Sequence, residues 1–133
     1  MRQIVSALAV LVPSYEEGLT FYVGALGFRP VEDTPLAGEK RWVVVAPPGS
    51  RETALLLARA ATDTQRAAIG NEAGGRVFLF LQTDDFWRDY RRYREAGVTF
   101  LEEPREEHYG VVAVFRDPFG NKWDLIEPNS RKR

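Results

Sequence analysis

Arg76 to Gly97 reads RVFLFLQTDDFWRDYRRYREAG, and two periodicities meet inside it. Val77 to Leu81 is an unbroken apolar run bounded by polar residues, which predicts a strand over Arg76–Thr83. From Asp84 the large apolar side chains Phe86, Tyr90 and Tyr93 recur at intervals of four and three, one stripe of a helix over Asp84–Ala96 that Gly97 ends. The same order occurs once before. Ile4 to Val12 is apolar but for Ser6, Pro13-Ser14 comes next, and Tyr15, Leu19, Tyr22 and Leu26 trace a helical stripe over about Ser14–Leu26 that Gly27 closes. Aligning Val12-Pro13 with Thr83-Asp84 gives an offset of 71 residues, and aligning Pro48 with Pro118 gives 70.

The segments after the two helices repeat as well. After the first, Phe28–Glu32 can extend, Asp33–Glu39 is a loop, and Arg41–Ala46 and Thr53–Arg59 pair around the turn Pro47-Pro48-Gly49-Ser50. After the second, Val98–Leu101, Gly110–Arg116 and Asn121–Glu127 are three further strands. The chain is therefore one domain over residues 1–133, made of a βαβββ module at about 1–60, a linker at 61–75, a second βαβββ module at about 76–128 and a tail at 129–133. The first strand, apolar at nearly every residue, is expected to be central and covered on both faces. Thr62-Asp63-Thr64-Gln65 can cap a short helix in the linker. Gly70, Gly74 and Gly75 there form a hinge, since Arg76-Val77 stands where a phosphate loop requires Lys-Ser/Thr. Ser130-Arg131-Lys132-Arg133 belongs to a solvated, frayed tail.

With 44% apolar and 28% charged residues and sixteen aromatics, 133 residues suffice to fill a core without a metal or disulfide staple. No cysteine is present, which excludes thiol catalysis and Cys-based metal sites and leaves a reducing cytoplasm as the expected location. A net charge of −1 gives no field for nucleic acid. Met1-Arg2 and the apolar run after them resemble a short signal peptide, but Pro13 and the amphipathic segment beyond read as a strand entering a helix. No run is long enough to span a bilayer.

The strand-Pro-helix run with "FY" four residues before "GF" (Phe21-Tyr22 to Gly27-Phe28), the "TDD" junction Thr83-Asp84-Asp85 and the hairpin "DPFGNKWDLIE" (Asp117–Glu127) together resemble the glyoxalase/bleomycin resistance/dioxygenase (vicinal oxygen chelate) superfamily. The resemblance runs from Ile4 to Pro128. It implies an α+β fold in which two tandem βαβββ modules form a curved, incompletely closed mixed β-barrel with helices outside. It also implies a homodimer and, in metal-dependent relatives, ligands at positions that here hold Ala7, Ala54, Phe78 and Asp124. Three of these four carry no lone pair, so no metal and no cofactor are expected.

Parity along the strands places Ala9, Leu11, Glu52, Leu56, Ala58, Phe80, Gln82, Lys122 and Ile126 with Phe78 and Asp124 on the cleft side, and Trp123 and Leu125 on the core side. The expected product is a mostly apolar small-molecule pocket. Asp124 is either its polar anchor or a structural carboxylate held by Arg41 or another donor, and Trp42 is either pocket wall or core. His108, the sole histidine, reads as a loop residue at the cleft rim. The arginine-rich run Trp87–Arg94 reads as an exposed helix face. The expected function is metal-independent binding of an aromatic or cationic small molecule by Asp124, Gln82, Phe78, Phe80, Trp42, Glu52 and His108. The alternatives are a lyase or dioxygenase with relocated metal ligands, and a metal-free enzyme using Asp124, Gln82 or His108.

Overall fold

A computed structural model of the chain describes residues 1–129, so the tail from Ser130 on lies outside the described residues. The fold is α+β, with two mixed sheets, neither of them closed, and few helices. It divides into two compact units, the first ending at Gly70 and the second starting at Asn71, inside the segment read as the linker.

In the first unit, β1 (Ala7–Val12) leads to α1 (Tyr15–Leu19), which continues as a π-helical segment (Thr20–Ala25), and then to β2 (Arg29–Pro35), β3 (Arg41–Ala46) and β4 (Ala54–Arg59). Ser14 starts the helix: its hydroxyl accepts from the Glu17 N–H at 3.1 Å and donates to the Glu17 carboxylate at 2.9 Å. Gly18 lets the helix approach the sheet closely, because a Cβ there would stand 3.1 Å from both Leu57 and Val12. Tyr15, Tyr22 and Leu26 are buried as expected, while the wider π-helical turn leaves Leu19 half-buried and buries Phe21 instead.

The strand order β1-β4-β3-β2 corrects one expectation. β1 is an edge strand of its sheet, parallel to β4 alone, with Leu8 and Ala9 exposed, and not a central strand covered on both faces. Its apolar continuity misleads because Val10 and Val12 pack against the helix while the other parity consists of Ala7, Ala9 and Leu11, small or half-buried side chains. The linker helix forms as α2 (Asp63–Ala68), with Thr62 accepting from the Gln65 N–H.

The second unit comprises β5 (Val77–Gln82), α3 (Phe86–Glu95), β6 (Thr99–Phe100), β7 (Arg105–Glu107), β8 (Gly110–Arg116) and β9 (Lys122–Pro128). β5 runs parallel to β9, β9 is antiparallel to β8, and β8 pairs along its other edge with β6 and β7. Phe86, Tyr90 and Tyr93 form the buried stripe of α3, as their spacing predicts. Asp85 caps the helix by accepting from the Arg88 N–H, and Glu127 reaches over from β9 to accept from the Phe86 N–H at 2.8 Å. Phe115 centres the core: it stacks on Trp123 with centroids 6.0 Å apart and meets Tyr93 and Phe100 edge-on or tilted, both at 5.6 Å.

β7 is not expected from the sequence, because Arg105-Glu106-Glu107 has no apolar alternation. It forms a hairpin with β8 through the two-residue turn His108-Tyr109, which Gly110 completes at φ +153°. No other residue fits there, since a Cβ on Gly110 would lie 2.3 Å from the Glu127 carbonyl oxygen.

The β8–β9 turn is built on Asp117. Its Oδ1 accepts from the N–H groups of Phe119 and Asn121, both at 2.9 Å, and Oδ2 accepts from Asn121 Nδ2 at 3.2 Å. Asp117 is 1% exposed, so Asp117→Ala strands these donors without water. The substitution is expected to cost about 3 kcal/mol of folding free energy, read as a shifted denaturant midpoint with unchanged m-value.

Candidate functional site

β9 sorts its side chains by parity. Trp123 is 3% exposed and Leu125 is fully buried, both in the core as expected, while Lys122, Asp124 and Ile126 face the other way and are half-buried. Across the strands, Phe80 of β5 and Val114 of β8 stand opposite Asp124, and Gln82 and Val112 stand opposite Ile126. Phe80, Asp124 and Gln82 therefore share one sheet face, and Phe80 is 68% exposed on it. Phe78 is displaced from this row: Val77 pairs with Lys122 and Leu79 with Trp123, leaving Phe78 in a bulge. In the first unit Ala7 lies opposite Ala54; in the second, Phe80 and not Phe78 lies opposite Asp124.

The Asp124 carboxyl is half-buried, and its Oδ1 is shut away from solvent with no hydrogen-bond partner. What solvent this group meets, it meets through Oδ2. Burial pushes its pKa above the usual carboxylate range, the positive charge of Arg105 opposes that shift, and Glu102 adds to it.

Glu102 and Arg105, with Glu107, are neighbours that sequence reasoning does not reach. Glu102 accepts from the Val114 N–H and from Arg105 Nε, each at 3.1 Å, and Arg105 Nη1 bonds the Glu107 carboxylate. The spacing of Glu102 and Arg105 is a visible signal for the pair, but the strand that positions Arg105 is not legible from its charged residues. Arg41, the donor considered for Asp124, spends its guanidinium on Asp33 at 2.6 and 3.1 Å and on Glu16 at 2.5 Å.

The remaining expected site residues stand on other elements. His108 is exposed at the tip of the β7–β8 hairpin, and four residues of β8 separate Gly110 from Val114, about 13 Å at strand rise. Trp42 and Glu52 belong to the first unit. Trp42 shares parity with the buried cluster Val44, Ala46 and Ala54 and with Leu56, the face opposite Val43, Val45 and Leu57, and is itself 42% exposed. Glu52 is exposed in the loop before β4. Trp87, Arg88, Arg91, Arg92 and Arg94 form the exposed side of α3, where Arg88 bonds Asp84 and Asp89.

The metal positions implied by the resemblance offer the methyl groups of Ala7 and Ala54, the ring of Phe78 and one carboxylate. Among the described residues no three His, Asp or Glu side chains gather into a coordinating group. These donors do not fit a divalent centre, which takes about three protein ligands with a position left open.

A family model for the Glyoxalase/Bleomycin resistance protein/Dioxygenase superfamily matches residues 4–125. An uncharacterized protein of Shewanella frigidimarina is 53% identical over 133 residues, covering 99% of this chain and 98% of that one. The crystal structure of TnmS3, an antibiotic binding protein from Streptomyces sp. CB03234, superposes with a TM-score of 0.78 at 32% identity, covering 97% of this chain and 98% of the other. A superfamily member from Sphaerobacter thermophilus gives a TM-score of 0.75 at 31% identity, covering 95% and 98%.

Because Asp124 is harder to ionise folded than unfolded, the folded state binds the extra proton, and stability falls as pH rises from 3.8, the ordinary aspartate value, through the folded pKa. Asp124→Asn removes that dependence. Thermal melts at a series of pH values are expected to show the variant more stable than wild type at neutral pH, with the gap closing on acidification.

Proposed function

The chain belongs to the Glyoxalase/Bleomycin resistance protein/Dioxygenase superfamily, and from that premise we propose that it binds a small aromatic or cationic molecule, without a metal, on the face made by β5, β9 and β8. The observation that carries this reading is the pairing of an unpartnered buried carboxylate oxygen on Asp124 with an exposed aromatic ring, Phe80, directly across the strand pair. With Oδ1 enclosed, Oδ2 is the oxygen left for a ligand to hydrogen-bond, and a phenyl ring left in water gains by being covered. Gln82 adds a donor and an acceptor two residues along the same strand, and Phe78 adds apolar surface beside it. His108 of the hairpin tip, in the same unit, is a further expected contact in this reading. The likeness to an antibiotic binding protein supports ligand capture as the activity. The absence of three of the four implied metal ligands supports metal independence.

The reading includes a homodimer and a cytoplasmic location. Ile4 and Val5, 64% and 63% exposed, precede the edge strand β1, on which Leu8 is 36% exposed; this apolar edge supports self-association. The lack of cysteine suits a reducing compartment.

Two measurements test the proposal. Aromatic fragments screened by protein-observed NMR are expected to shift β5 and β9 resonances equally before and after chelator dialysis, and Phe80→Ala is expected to weaken the hits about tenfold. Since Phe80 is 68% exposed, its removal should leave the melting temperature within about 2 °C of wild type. Binding that requires a restored divalent metal would defeat the proposal. Light scattering at micromolar concentration is expected to give twice the chain mass, and a monomer would remove the dimer from the reading.

A further inference from the structure

We propose that the ligand group met by Asp124 is an uncharged carbonyl-type acceptor, and not an ammonium or amidinium. This inference rests on the proposed binding face and narrows what that face selects.

The two oxygens of Asp124 are not equivalent. Oδ1 is enclosed without a donor, so a full negative charge shared between both oxygens would leave half of it in an apolar setting. A protonated carboxyl avoids this by keeping Oδ1 as the carbonyl oxygen and carrying the hydrogen on Oδ2, the oxygen open to the ligand. In that form Asp124 donates.

The charged groups around it favour the same form. Arg105, the cation that acts on Asp124, is engaged by two carboxylates, Glu102 and Glu107, so the three together carry one net negative charge. From β5 the neighbours are uncharged, with Phe80 opposite and Gln82 and Phe78 to either side. From β8, Val114 is opposite. On β9 itself Lys122 lies two residues away, paired in register with Arg116, and Glu127 is of the other parity and bonds the start of α3. Glu103, Glu106 and His108 are exposed on the β6–β7 connection, on β7 and at the hairpin tip, respectively. Burial raises the Asp124 pKa despite Arg105. A ligand cation would have to ionise this carboxyl while it remains half-enclosed; a ligand carbonyl accepts its hydrogen directly, while the aromatic body covers Phe80.

Benzamide and benzamidine have the same shape, but the first is a neutral carbonyl acceptor and the second a cation with donors only. Their naphthalene counterparts supply the same contrast with more apolar surface. Binding of both pairs is measured by chemical-shift titration of the labelled full chain, from mildly acidic to mildly alkaline pH, in wild type and in Asp124→Asn. The expected result is that the amide binds at least about tenfold tighter than the amidine below the Asp124 pKa, and that its affinity falls as pH rises through that pKa. Asp124→Asn, which keeps a donor and an acceptor in nearly the same volume, should hold the amide within about threefold and remove the pH dependence. Preference for the amidine across the range, lost in Asp124→Asn, would overturn the neutral-acceptor assignment while leaving the binding face in place. Failure of all four compounds to shift β5 or β9 resonances, with shifts confined to other elements, would overturn the binding face itself and this inference with it.

Discussion

Trp123 lies stacked on Phe115, and that contact fixes the register of β9. Strand side chains alternate between faces, so a slip by one residue would turn Trp123 out of the core and Asp124 into it. Trp123 and Leu125 on one face therefore hold Asp124 on the other. The same register sets Phe80 opposite Asp124, aligns Glu127 with the start of α3 and brings the Glu127 carbonyl so close to Gly110 that no side chain fits between them. The position of the proposed site is thus a by-product of aromatic packing on the far side of its own strand.

The two units repeat one chain order but differ in chemistry. On the face opposite Val43, Val45 and Leu57, the first unit carries a buried apolar cluster of Val44, Ala46 and Ala54 with Leu56 packed against it, and no charged group stands at these positions. Its charges lie elsewhere, chiefly where Arg41 clamps Asp33 and Glu16 and ties α1 to the β2–β3 pair. The second unit has Asp124 where its counterpart has Ala54. With no donor on its Oδ1, this carboxyl is left with burial as the dominant influence on its ionisation.

Most of the architecture is legible in the sequence, because periodicity and turn chemistry are local signals. The Phe86–Tyr93 stripe, the first stripe apart from Leu19 and the capping by Thr62 fall where residue spacing places them. The parity of β9 is legible for the same reason. Three features are not. Whether an apolar strand is central or at an edge depends on which strand it pairs with, and nothing within Ile4–Val12 reports that. β7 is a strand because β8 offers it a hydrogen-bonding edge, not because Arg105-Glu106-Glu107 favours extension. The bulge at Phe78 arises from the parallel match of β5 to β9, so an alignment of the two halves brings Phe78 to the key position while the sheet brings Phe80. In the proposed site, Asp124 is reached through the position that the family resemblance implies, whereas Glu102 and Arg105 require the fold.

The parallel pairing of β5 with β9 also bears on the order of events during synthesis. Among the described residues β9 is the one strand that borders β5 in its sheet, and β5 emerges from the ribosome about forty residues before it, while the Phe86 N–H waits 41 residues for Glu127. Until then the nascent chain carries Val77-Phe78-Leu79-Phe80-Leu81, an apolar segment of high β-propensity with both hydrogen-bonding edges open. Translation is slow compared with the collapse of so short a segment, so this stretch stays open to non-native pairing until β9 arrives.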